Sequence, residues 1–179
     1  MNKKILVFGA SNSSTSINQK FAMYVAQKLD GAEIHEVRIT DYELPMFGVD
    51  LEKEVGRHPS ATKFLDHISV CDGIILSLAE HNSNYTAAFK NLIDWSSRIT
   101  GKIWQEKPML ALSTSPGKRG GAGAMNILLN TAKYMGGNIV AHFSLPAYNQ
   151  AFGEDGHLAD EEQRESLKAQ LRIFKEQIS

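Results

Sequence analysis

Three runs of this chain, KILVFGA (4–10), GIILSLA (73–79) and MLALST (109–114), are apolar almost without a break. A strand with one solvated face alternates apolar and polar residues. Continuous apolar runs of this length instead mark strands covered on both faces, as in a parallel sheet between two layers of helix. EIHEVRI (33–39) alternates and suits an edge, and NIVAHFSL (138–145) reads as a fifth strand. Helical spacing fills the gaps. Residues 17–29 place Ile17, Phe21, Val25 and Leu29 on one side, and 61–70, 87–99, 121–135 and 161–178 follow. Met125, Leu128, Leu129, Ala132 and Met135 form one stripe, suited to core or subunit contact.

Strand and helix alternate with neither a repeat nor a low-complexity linker, so the 179 residues are expected to form a single α/β domain, 1–179. Five parallel strands with right-handed crossovers suit a three-layer sandwich with the flavodoxin-like strand order 2-1-3-4-5 and helices on both faces. Ligands of such sheets sit beyond the carboxyl ends of the strands, where strands one and three diverge. That narrows the search to the loops after strands one, three and four: 10–18, 80–86 and 115–121.

The first loop, GASNSSTSIN, crowds short polar side chains behind a buried strand. A strand-to-helix turn aims unpaired N–H groups and a positive dipole end at whatever precedes the helix. Ser11, Ser13 and Ser16 add hydroxyl donors, and Asn18 donates an amide or braces the turn. The result is a neutral phosphate cradle. The simpler alternative is capping by Ser16 or Thr15 alone, for which one residue suffices. Neither G-x-x-x-x-G-K-[ST] nor G-x-G-x-x-G is present. In the second loop, AEHNSNYT, Asn82 and the backbone suit the hydrogen-bonding edge of a flat heterocycle, with Tyr85 supplying an apolar face. His81 has no nucleophile motif beside it and Glu80 suits a helix-end charge. The third loop, STSPGKRGGAG, joins four glycines to Lys118 and Arg119, which suits close backbone approach to a ligand or an ordinary surface turn.

Composition excludes several classes. Nineteen Lys and Arg against twenty Asp and Glu leave a formal net charge of −1. A nucleic-acid binder needs a basic excess, and a charge-steered electron shuttle a strongly acidic surface. Cys71 is the only cysteine, which precludes an intrachain disulfide and fits a reducing compartment. The six histidines lack metal-ligand spacing, so no metal is expected. No stretch approaches the roughly 20 apolar residues of a membrane span. The expected setting is the cytoplasm.

These segments resemble a known family. GASNSSTSIN is similar to the G-S-x-R-x-x-S-x-N phosphate loop of the NADPH-dependent FMN reductases, AEHNSNYTAAFKNLIDW to their P-E-Y-N-x-S-x-P-x-x-L-K-N-x-I-D-W segment, and STSPGKRGG to their glycine-rich loop. K-N-x-I-D-W, here Lys90 to Trp95, is the most specific part. The resemblance implies a flavodoxin-like dimer or tetramer acting on quinones, azo dyes, chromate or free flavin. By position, Ser11, Ser16, Ile17 and Asn18 would hold the FMN phosphate. Glu80, His81, Asn82 and Tyr85 would line the isoalloxazine, with Ser115, Pro116 and Gly117 on its other side. Ser13 stands where the family often has arginine, Ala79 and Thr86 replace prolines, and His81 replaces an aromatic residue.

The resemblance further implies that FMN carries the chemistry: NAD(P)H (NADPH or NADH) delivers hydride to N5 and a small acceptor takes the electrons, with no catalytic side chain. The alternatives are a flavodoxin-like electron carrier that does not use nicotinamide and a flavin-free relative of the fold.

Overall fold

The computed structural model describes residues 2–178. Five parallel strands make the sheet: β1 (Lys3–Ala10), β2 (Ala32–Glu36), β3 (Gly73–Leu78), β6 (Pro108–Thr114) and β7 (Asn138–Leu145). Their spatial order is β2-β1-β3-β6-β7, the 2-1-3-4-5 order expected. The register sets Phe8 opposite Leu76 and Ile75 opposite Leu110. Between β3 and the next helix, β4 (Glu80–His81) and β5 (Asn84–Tyr85) form a short antiparallel hairpin.

Alternate residues of the central strands feed two separate cores, which explains their continuous apolar runs. Leu6, Phe8, Ile74 and Leu76 pack with α3 (Pro59–Ser69), α4 (Ala87–Ser97) and α5 (Ala122–Thr131). Ile5, Val7, Ile75, Leu110 and Leu112 pack on the other face with α1 (Ile17–Ala26) and α6 (Glu161–Ile178). Among the described residues, no helix is long and apolar enough to cross a membrane.

The structure departs from the sequence reading in four places, each for a local reason. The second strand ends at Glu36 rather than residue 39. Val37 and Ile39 stay buried, so the apolar alternation runs on into a 3-10 turn closed by Arg38 N–H donating to Asp41 Oδ2 at 2.9 Å. A helix at α2 (Val49–Val55) was not foreseen, because none of its residues is buried and it has no apolar stripe. The helix expected over 121–135 changes to 3-10 geometry at Ala132–Met135 and stops at left-handed Gly136 (φ 71°). Finally, residues 80–86, expected as a loop, contain the hairpin of β4 and β5, whose two-residue strands are too short to show a period.

Candidate functional site

The ends of β1, β3 and β6 open onto a cleft of about 270 Å³. Gly9 brings its floor together. A Cβ there would lie 2.7 Å from the carbonyl carbon of Asn18, so α1 can start directly on β1 only because this residue has no side chain. Gly9 N–H in turn donates to the buried Gln19 Oε1 at 2.7 Å, and the same side chain donates to Val37 O and Glu36 Oε1. Gln19 thus pins the start of α1 to the ends of two strands. No local sequence pattern marks this role.

Asn18 is a brace. Its Oδ1 accepts from Ser77 Oγ at 2.7 Å and Thr114 N–H at 3.1 Å, and its Nδ2 donates to Thr114 O at 3.1 Å. With all three bonds inside the protein, the side chain orients the loop rather than reaching outward. Ser16 has two jobs. Its Oγ accepts from Gln19 N–H at 3.2 Å, capping α1, while the residue also lines the cleft, leaving its O–H free to donate there. The cap is therefore present, and the same hydroxyl still faces the cleft, so the two roles posed from the sequence do not exclude one another.

The rest of the loop is held by its own hydroxyls. Ser11 Oγ accepts from Ser13 N–H at 3.2 Å and Ser13 Oγ from Thr15 N–H at 3.3 Å. The amides of Ile17 and Asn18 lie in the first helical turn, where no intrahelical acceptor exists. Of the residues lining the cleft only Glu80 carries a carboxylate, and it is turned away: Oε2 accepts from Ala124 N–H at 3.0 Å, at the positive end of α5. What remains is a set of hydroxyl and amide donors suited to an oxyanion.

Of the residues singled out from the sequence, Ser11, Ser13, Ser16, Ile17, Asn18, Glu80, His81, Ser115 and Pro116 line this cleft. Asn82, Tyr85 and Gly117 do not. Asn82 and Ser83 form the exposed tip of the hairpin with consecutive left-handed backbones (φ 52° and 61°). Tyr85 faces the core, its ring edge-on to Phe89 at 5.2 Å and its hydroxyl 3.5 Å from Thr131 Oγ1; burial raises its pKa. Gly117 O accepts from Ala147 N–H at 3.0 Å, which fastens the third loop to the end of β7.

The glycines of that third loop serve the chain itself. A Cβ on Gly120 would lie 2.9 Å from Leu145 O, and one on Gly123 would lie 2.8 Å from Ser83 O in the hairpin. Thr15, Ala79 and Thr114 also line the cleft and were missed. Thr114 ends an apolar run and reads as core; in fact its Oγ1 donates to Leu145 O at 2.7 Å.

The profile of the NADPH-dependent FMN reductases matches residues 3–150, most of the chain. The chain belongs to that family. An NADPH:quinone oxidoreductase of Arabidopsis thaliana is 29% identical over 153 residues, covering 81% of this chain and 74% of its own. An NAD(P)H-dependent FMN reductase of Pseudomonas aeruginosa is 27% identical over 133 residues, covering 73% and 71%. Among solved structures, FerB from Paracoccus denitrificans, a flavoenzyme NAD(P)H:(acceptor) oxidoreductase, superposes with a TM-score of 0.73 at 30% identity, covering 98% of this chain and 97% of its own.

Membership makes this FMN reductase relative an oxidoreductase of a family that uses FMN and NAD(P)H. The cleft fits that cofactor. Its donors converge before α1 with no free carboxylate among them, as a phosphate monoester requires. The family's K-N-x-I-D-W segment lies outside the cleft. Asn91 Nδ2 and Trp95 Nε1 both donate to Pro45 O, at 2.9 and 2.8 Å, and Asn91 Oδ1 accepts from Phe47 N–H at 2.8 Å. Lys90 pairs with Asp94 on the helix surface. This segment clamps the 44–47 loop.

Proposed function

We propose that the protein is an FMN-dependent NAD(P)H oxidoreductase that reduces a small acceptor, with quinones as the leading class. The observation that carries this reading is the cluster of hydroxyls and first-turn amides at the start of α1, in a cleft whose one carboxylate, Glu80, is already bonded to Ala124 N–H. Ser11, Ser16 and the amides of Ile17 and Asn18 would hold the phosphate. The main chain of 79–82 and Ser115 to Gly117 would flank the ring. FMN, when bound, supplies the two-electron redox chemistry. The chain's own part is to bind, orient and leave one side open: His81, Asn82, Pro116 and Gly117 are all exposed. A nicotinamide and then an acceptor can therefore use the same face in turn. No side chain is assigned a proton transfer.

Two relatives support quinone as acceptor, being named NADPH:quinone oxidoreductase and NAD(P)H:quinone oxidoreductase. We further propose a cytoplasmic homodimer or homotetramer. Met46, Val49, Val55, Val70, Tyr134 and Ile173 are exposed apolar residues that an interface could cover.

The test is anaerobic mixing of the FMN-loaded protein with NADPH or NADH, followed by a quinone, an azo dye, chromate or free FMN. The expected result is bleaching of the visible flavin band, with fastest recovery on adding quinone. A flavin that neither nicotinamide bleaches would overturn the reading and favour an electron carrier.

A further inference from the structure

A second, larger cleft of about 460 Å³ lies between α1 and α6 and shares no residue with the one before α1. Its volume falls within the range of small-molecule sites. The floor is apolar: Leu158, Leu167 and Leu171 are nearly or wholly buried and project from α6 and the segment before it. The 152–158 segment makes one wall, closed on itself by a bridge between Phe152 and Leu158 and by Gly153 N–H donating to His157 O at 2.8 Å. Tyr24 of α1 also lines the cleft and adjoins this segment, its ring edge-on to Phe152 at 5.1 Å.

The rim is cationic. Lys28, Arg164 and Lys168 face a single lining carboxylate, Asp155, which already accepts from His157 N–H at 3.0 Å. Each cation is held in place. Lys28 Nζ sits 4.2 Å over the Tyr24 ring, and Lys168 is paired with Glu165, which is outside the cleft. Arg164 Nη1 donates to Leu158 O at 2.6 Å and Ala159 O at 3.2 Å, so the guanidinium is oriented while its remaining N–H groups are unspent among the described residues. Apolar floor and oriented cations together describe one kind of occupant.

We propose that this cleft binds a small amphiphilic anion, an oxyanion group carried on a short apolar body. The apolar body lies on Leu158, Leu167 and Leu171, and the oxyanion meets Arg164, Lys28 and Lys168. The site is independent of flavin chemistry, so its test is too.

Octanoate is the probe, titrated into 15N-labelled, FMN-loaded protein. The expected result is saturable shifts of the Tyr24, Leu158, Leu167 and Leu171 amides. Octan-1-ol and octyltrimethylammonium should bind at least about tenfold more weakly, and Lys28→Glu should weaken octanoate by a similar factor while FMN affinity is unchanged. Absence of saturable shifts at those amides would overturn the proposal. So would equal binding of the alcohol or the cation, which needs no variant at all, or octanoate affinity untouched by Lys28→Glu.

Discussion

Asn18 Oδ1 and Ser77 Oγ meet at 2.7 Å, although 59 positions separate them in the chain. The bond ties the start of α1 to the end of β3, and the Asn18 bonds to Thr114 extend the tie to β6. Three separate segments of the cleft are fixed by one carboxamide. Asn18→Ala leaves the Ser77 hydroxyl and the Thr114 amide and carbonyl without their buried partner. The expected cost is about 2–4 kcal/mol in urea unfolding, with FMN binding largely abolished. Unchanged unfolding would remove the bracing role.

Ser16 separates the cap from the cradle. Ser16→Ala is expected to lower apo-protein stability by about 1 kcal/mol through the lost cap. It should also weaken FMN by roughly 10- to 150-fold through the lost bond to a charged group. Ser14→Ala, outside the cleft, should change neither. Flavin fluorescence quenching at fixed salt, paired with apo-protein melting, measures both. Ser13→Arg, which restores the family's usual charge at an exposed position, should tighten FMN and make its binding more salt-sensitive.

Gly9 admits no side chain. Gly9→Ala forces α1 off β1 against backbone, and a loss of about 3 kcal/mol is expected together with loss of FMN. Gly48→Ala, where a Cβ meets nothing within 4 Å, is the matched control and should melt as wild type.

His35 Nε2 and His67 Nδ1 lie 2.6 Å apart between β2 and α3. Desolvation first, then the nearby His35 and Lys63, holds the His67 pKa below its ordinary 6.5, with Asp66 opposing. The unfolded chain therefore binds more protons in that window. The stabilisation is complete above pH 6.5 and is lost as pH falls through the lowered folded value. Melting temperature should decline on acidification below that pH, and His67→Gln should flatten the decline. Parallel melting curves of the two proteins against pH decide it.

Asn91→Ala should free the 44–47 loop, cost about 2–3 kcal/mol, and admit protease near Met46. FMN affinity should stay within a factor of about two, since Asn91 has no part in the cleft.

Legibility followed burial. The strands at β1, β3 and β6 were plain because both of their faces are covered, and α2 was invisible because none of its residues is buried. The hairpin of β4 and β5 is too short for any period, and its left-handed Asn82 and Ser83 lack the glycine that usually marks such a turn. The polar loop before α1 stood out because hydroxyls after an apolar run need a purpose. Tyr85 misled because an amphipathic ring suits a ligand or a core equally, and here Phe89 and Thr131 take it inward. Gln19 and Thr114 act through backbone partners distant in sequence, which no local pattern records.

The clamp that Asn91 and Trp95 place on Pro45 bears on how enzymes of this kind are recognised. The most distinctive string in the chain records a mechanical fastening, while the residues proposed to meet the cofactor are common serines and bare amides. A genome survey keyed to that string would gather proteins of one shape, including any that have given up their flavin. Telling the working enzymes apart requires looking at the hydroxyls far upstream, before α1, where there is little to spell.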